Sequence, residues 1–104
     1  MAYRGENAVH CRVRFDGTGT LAITDSYNIS SVTDQGTGQY QPNLSTAFSN
    51  NGYTIFWAAG GGTGSVSDGC NIYGEESDHW HSEWGNGGTV YDFDKCHFGA
   101  VGDN

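Results

Sequence analysis

The sequence predicts an all-β chain folded as one antiparallel β-sandwich (jelly-roll-like) of about eight or nine short strands. Three observations predict it. Apolar and polar residues alternate over short stretches such as Val9-His10-Cys11-Arg12-Val13-Arg14-Phe15. Clusters of Gly, Asp, Asn and Thr punctuate the chain roughly every ten residues. No segment carries apolar residues at i, i+3, i+4 and i+7 over a helical length. The chain has 104 residues, 17 of them glycine. That suits a single domain, residues 1–104, with much of its length in turns.

Each element follows from its residues. Residues 9–15 form a strand whose period of two puts Val9, Cys11, Val13 and Phe15 on one face and His10, Arg12 and Arg14 on the other. Asp16-Gly17-Thr18-Gly19 supplies a reversal. Residues 20–24, with Leu21 and Ile23, complete a hairpin. Residues 28–33 are a third strand, residues 34–38 a turn, and residues 39–44 a fourth strand. Pro42 marks that fourth strand as an edge or a bulged one, because proline gives no N–H to a ladder. Residues 45–52 read as a polar loop. Residues 53–59 are apolar on both faces, which predicts burial on both sides, by a second sheet or another subunit. Residues 60–64 are a glycine-rich connection with no helix behind it, so it is not a phosphate-binding loop. Further strands are expected at residues 70–73, 78–84, 89–93 and 96–101, with a turn at Gly85-Asn86-Gly87-Gly88.

Composition narrows function. Charged residues make up 15% and aromatics 13%, the opposite of a disordered tail. The longest apolar run is far shorter than the ~20 residues of a membrane span. Met1 leads into Ala2-Tyr3-Arg4 with no basic segment and apolar stretch behind it, so no secretion signal is expected. Four basic residues face 12 acidic ones, a net charge of −8. Nucleic acid and anionic membranes are therefore unsuited partners. Arg4, Arg12 and Arg14 cluster at the start and Glu75, Glu76, Asp78 and Glu83 later. That asymmetry suits contact between protomers, and solvated surface charge accounts for it equally well. A domain of this size has no generous core, so oligomerisation is expected.

The stretch Val13-Arg14-Phe15-Asp16-Gly17-Thr18-Gly19-Thr20-Leu21-Ala22-Ile23 is similar to the opening of a β domain of bacteriophage tail-fibre proteins. Asn28-Ile29-Ser30-Ser31-Val32-Thr33-Asp34-Gln35-Gly36-Thr37-Gly38-Gln39-Tyr40 resembles that domain's continuation. The likeness is specific over residues 8–47, weak from Tyr53 to Phe93, and only of general character at residues 96–102. It implies a non-enzymatic virion protein, homotrimeric, assembled in the host cytoplasm, exposed on the particle and engaged in host-surface recognition. Virion partners (fibre, tail or capsid) and a host surface glycan belong to the same expectation. The chain opens at the module with no shaft before it, which keeps capsid decoration or a head-fibre role as the alternative. Glycines and threonines in these motifs shape turns, so the likeness speaks to fold first.

Among site candidates, His79-Trp80-His81-Ser82-Glu83-Trp84 stands out. On a strand, His79, His81 and Glu83 share one face, and His79 and His81 can present two imidazoles to a metal ion. Iron sites of this kind in trimeric phage fibres resemble it. A solvated polar face opposite a tryptophan-bearing core face is the simpler account, and no cofactor is expected. Glu75, Glu76, Asp78 and Glu83 offer carboxylates for acid/base work or calcium, with loop solubility as the plainer reading. Tyr27, Tyr40, Tyr73, Trp80, Trp84 and Tyr91 are candidates for stacking on sugar rings, though core or interface burial is favoured for each. The loops at residues 45–52, 60–69 and 74–77 are better placed for recognition. Cys11, Cys70 and Cys96 are expected as free thiols. No catalytic residue is assigned.

Overall fold

The computed structural model describes residues 9–61 and 64–103. These residues form nine strands and no helix: β1 (Cys11–Asp16), β2 (Ala22–Tyr27), β3 (Ile29–Gly36), β4 (Gln39–Leu44), β5 (Thr54–Gly60), β6 (Asp68–Glu76), β7 (His79–Asn86), β8 (Thr89–Val90) and β9 (Lys95–Val101). They make two sheets. Sheet A has the order β2-β1-β9-β5, and sheet B the order β3-β4-β7-β6 with β8 beside β7. Every pairing is antiparallel. The predicted β-sandwich is thus the observed architecture.

The core lies between the sheets. Cys11, Val13 and Phe15 of β1, Tyr40 and Leu44 of β4, Trp80 and Trp84 of β7, and Cys96, Phe98 and Ala100 of β9 all point inward. Period-two side-chain placement explains which residues these are. Rings interlock edge to face: Trp80 and Trp84 meet Phe98 at centroid distances of 5.4 and 5.3 Å, and Phe15 meets Tyr40 at 5.1 Å. Such contacts add roughly 0.5–1.5 kcal/mol each beyond area burial.

The two motif stretches meet at a joint between the sheets. The Tyr40 hydroxyl donates toward the Gly17 carbonyl at 3.1 Å and the Asp92 carboxylate at 2.7 Å. Gly17 N–H donates to Phe93 O and Gly38 N–H to Asp92 Oδ1, each at 2.8 Å. A Cβ on Gly17 would lie 2.1 Å from the Tyr40 hydroxyl oxygen, and one on Gly38 would lie 2.5 Å from Trp84 O. Gly38 also holds φ +67°, in the left-handed region that favours glycine. The sharp β3–β4 turn and the close approach of the Asp16–Gly19 loop therefore both need glycine.

Several local expectations change. β1 alternates as predicted from Cys11 onward, but Val9 is exposed and His10 buried. The His10 ring bonds Thr46 O at 2.8 Å and packs on Phe48. The hairpin partner begins at Ala22, because a bulge after Arg14 shifts the register to Phe15↔Ile23. The expected turn at 34–38 shrinks to Thr37-Gly38, since β3 runs on to Gly36. β4 is interior, flanked by β3 and β7. The β4–β7 ladder keeps one register from Tyr40↔Ser82 to Asn43↔His79 and carries no pair at Pro42, where proline has no N–H to give. Phe48 in the expected polar loop is buried and stacks on Tyr53 with ring centroids 4.1 Å apart. β5 is an edge strand with Phe56 and Trp57 exposed, so this chain alone does not bury it on both sides. The strand expected at 89–93 is only Thr89–Val90.

Candidate functional site

Sheet B buries one face and presents the other to solvent. On its outer face, alternation brings out Asn71 and Tyr73 from β6, His79, His81 and Glu83 from β7, and Gln39, Gln41 and Asn43 from β4. The register sets these in rows: Tyr73 opposite His81, Asn71 opposite Glu83, and Glu83 opposite Gln39. The inward residues between them, Trp80, Ser82 and Trp84, are fully buried, so the face rests on a rigid layer.

A continuous hydrogen-bonded chain crosses this face. His81 Nδ1 bonds Gln35 Oε1 at 3.0 Å. Gln35 Nε2 donates to Gln41 Oε1 at 3.0 Å, and Gln41 Nε2 to Asn43 Oδ1 at 2.7 Å. Asn43 Nδ2 then donates to Ser31 Oγ and Thr33 Oγ1, both at 3.0 Å. With a carbonyl as its acceptor, His81 holds its proton on Nδ1. Every donor in the chain then points the same way, and such bonds polarise one another. Beside the chain, Tyr73 stacks on His81 with centroids 5.4 Å apart and an interplanar angle of 20°. Gly74 makes room for that imidazole: a Cβ there would lie 2.6 Å from His81 Cδ2. Chemically, the face offers amides, imidazole, carboxylate and a phenol ring, a set suited to hydroxyl-rich ligands.

His79 and His81 do share one face as expected, with ring centroids 5.4 Å apart. His79 Nδ1 bonds the Asp78 carboxylate at 2.8 Å, which leaves Nε2 of the neutral ring as an acceptor. Among the described residues, no group of three or more His, Cys, Asp or Glu is placed to hold a metal ion. One chain brings two imidazoles together there, and further ligands would have to come from elsewhere.

The other candidates disperse. Glu75, Glu76 and Asp78 sit at the β6–β7 hairpin, whereas Glu83 lies farther along β7, opposite Asn71. Tyr40, Trp80 and Trp84 are core residues; Tyr27, Tyr73 and Tyr91 are exposed, and Tyr73 alone of these three stands in the amide-bearing face. Among the loops, residues 45–52 are pinned by Phe48 N to Ser77 O and Ser49 N to Asp103 O. Residues 74–76 belong to β6, and residues 62–63 of the 60–69 loop lie outside the described residues. Cys11, Cys70 and Cys96 are free thiols. β1 does pair with β9, but Cys11 faces Ala100 and Cys96 faces Phe15, so the two sulfurs stand at different rows. Burial pushes Cys11 and Cys70 up to about 12 and raises Cys96 further, which keeps all three protonated and unreactive.

Sequence reasoning missed Gln35, Gln41 and Asn43. Their signal was present in Gln39-Tyr40-Gln41-Pro42-Asn43-Leu44, where an amide occupies every second place. What no pattern reveals is that Gln35 reaches across β4 to a histidine on β7. Compared with protein-family models, curated proteins and solved structures, the chain gives no match.

Proposed function

We propose that this chain is a non-enzymatic bacteriophage virion protein, displayed on the particle and acting as a receptor-binding module of the tail-fibre kind. One observation carries the reading. Gly17, Gly38 and Tyr40, which belong to the stretches that resemble the fibre domain, close the joint together with Asp92 and Phe93. The likeness therefore falls on residues with a structural task and supports a fibre-type fold first. The outer face of sheet B supports a recognition role, since its amides, imidazoles and Tyr73 ring suit hydroxyl-rich surface glycans. Assembly in the host cytoplasm fits the unreactive thiols.

The test is adsorption. Purified chain added to host cells before infection is expected to reduce particle attachment in a dose-dependent way, and antibodies against it to block attachment. Unchanged adsorption, with loss of the protein lowering head stability instead, would favour capsid decoration. Absence of the chain from purified particles would end both readings.

A further inference from the structure

An exposed sheet edge is a row of unsatisfied backbone groups, and proteins usually blunt it with charge, proline or a bulge. Among the described residues, this sandwich has four long edges. β2 carries Asp25, β3 carries Asp34, and β6 carries Asp68, Glu75 and Glu76. β5 differs. Its sequence Thr54-Ile55-Phe56-Trp57-Ala58-Ala59-Gly60 has no charge and no proline, and its pairing with β9 is regular over all seven residues. Among the described residues it pairs with β9 alone.

The surface around this edge is apolar. Phe56 is 48% and Trp57 41% exposed. The Phe56 ring lies over Gly99, where a Cβ would come within 2.2 Å of it. Together with Val9 and Ala58 it lines a groove of about 270 Å³ on the outside of sheet A, which Arg12 and His97 complete.

We propose that β5 pairs antiparallel with β5 of a second copy about a two-fold axis at Trp57, joining two four-stranded sheets into one. Two features select a second copy as the occupant. The chain carries a net charge of −8, so copies repel each other broadly, and this is the one long edge without an acidic residue. The strand is also graded in size, bulky in its first half and small in its second. Antiparallel self-pairing at Trp57 sets Phe56 against the second copy's Ala58, Ile55 against its Ala59, and Thr54 against its Gly60. Large meets small at these three rows, and at the central row the two half-exposed Trp57 rings meet as a cross-strand aromatic pair. The contact is isologous and closes at two copies. It differs from the three-fold assembly that the tail-fibre resemblance implies, and it stands independently of the virion reading.

Light scattering on the full chain tests this. The expected mass is twice the chain mass of 11.1 kDa. Ala58→Lys, at an exposed outer position of β5, is expected to halve that mass while circular dichroism keeps the β signature. Thr24→Lys on β2, the opposite edge of the sheet, is expected to leave it unchanged. A chain lacking residues 1–8 is also expected to stay paired. A wild-type mass of one or three chains would overturn the proposal. So would an Ala58→Lys protein that remains double, or pairing lost on removal of residues 1–8, which would assign the contact to the N-terminal segment.

Discussion

Tyr40 contributes through one oxygen atom. Its hydroxyl bonds Gly17 O and Asp92 Oδ1 inside the joint, and burial together with the Asp92 carboxylate raises its pKa far above the ordinary phenol value. Tyr40→Phe removes both bonds, leaving Asp92 Oδ1 only the Gly38 N–H, and is expected to cost about 1–3 kcal/mol, measured as a lowered urea midpoint. The tryptophans provide a paired comparison. Trp84 Nε1 donates to Ser82 Oγ at 3.1 Å, and Ser82 Oγ donates to Tyr40 O at 2.7 Å. Among the described residues, buried Trp80 Nε1 has no hydrogen-bond partner. Both Trp→Phe changes lose packing, but Trp84→Phe also removes a bond. It is expected to be the more destabilising by about 1 kcal/mol in denaturant titrations. At the surface, Asp25 is held below the usual carboxylate range by its hydrogen bond to and charge attraction from Arg12, with a backbone N–H adding to it. A lowered folded pKa gives stability that is present above the unfolded value and lost as pH falls through the folded one. The pair is solvent-exposed and salt-screened, so the effect is small. An NMR titration is expected to show the Asp25 pKa rising toward normal in Arg12→Ala.

Strands were legible in the sequence where one face is buried and the other wet. β4 matches its predicted limits because polar and apolar residues alternate through Gln39–Leu44, and β1 alternates as expected from Cys11 to Phe15. Order within a sheet was not legible. Pro42 argued for an edge or a bulge; β4 is central, its pairing with β3 is irregular at two places, and its ladder to β7 has no pair at Pro42. The apolar β5 argued for burial on both sides, by a second sheet or another subunit; within this chain it is an edge, because hydrophobic pattern records what a surface needs and not what covers it. The site followed the same division. The shared face of His79 and His81 came from period two alone, whereas the amide chain depended on cross-strand register. Turns test this scale. Gly19 (φ +58°) has open space around its Cβ position, so Gly19→Ala is expected to cost only the backbone penalty of about 1–2 kcal/mol. Gly38→Ala adds a collision with Trp84 O and Tyr91 O, so its thermal midpoint is expected to fall well below that of Gly19→Ala.

At the scale of the whole molecule, the two sheets divide the surface into unlike faces. Sheet B turns outward a hydrogen-bonded polar field backed by buried tryptophans. Sheet A turns outward Arg12, Arg14 and His97 in its middle and the apolar Phe56 and Ala58 at its edge. A glycine-shaped joint holds the two halves in place, and the proposed virion role draws on what these unlike faces display. That is the sense in which a virion surface role fits the molecule. The most direct measurement of the proposed virion role is a density map of intact phage particles purified from cells in which this chain is produced during infection. The account predicts a sandwich of these nine strands on the particle exterior, at a fibre end, with the outer face of sheet B open to the medium. A map and composition analysis of purified particles in which the chain has no place would contradict it.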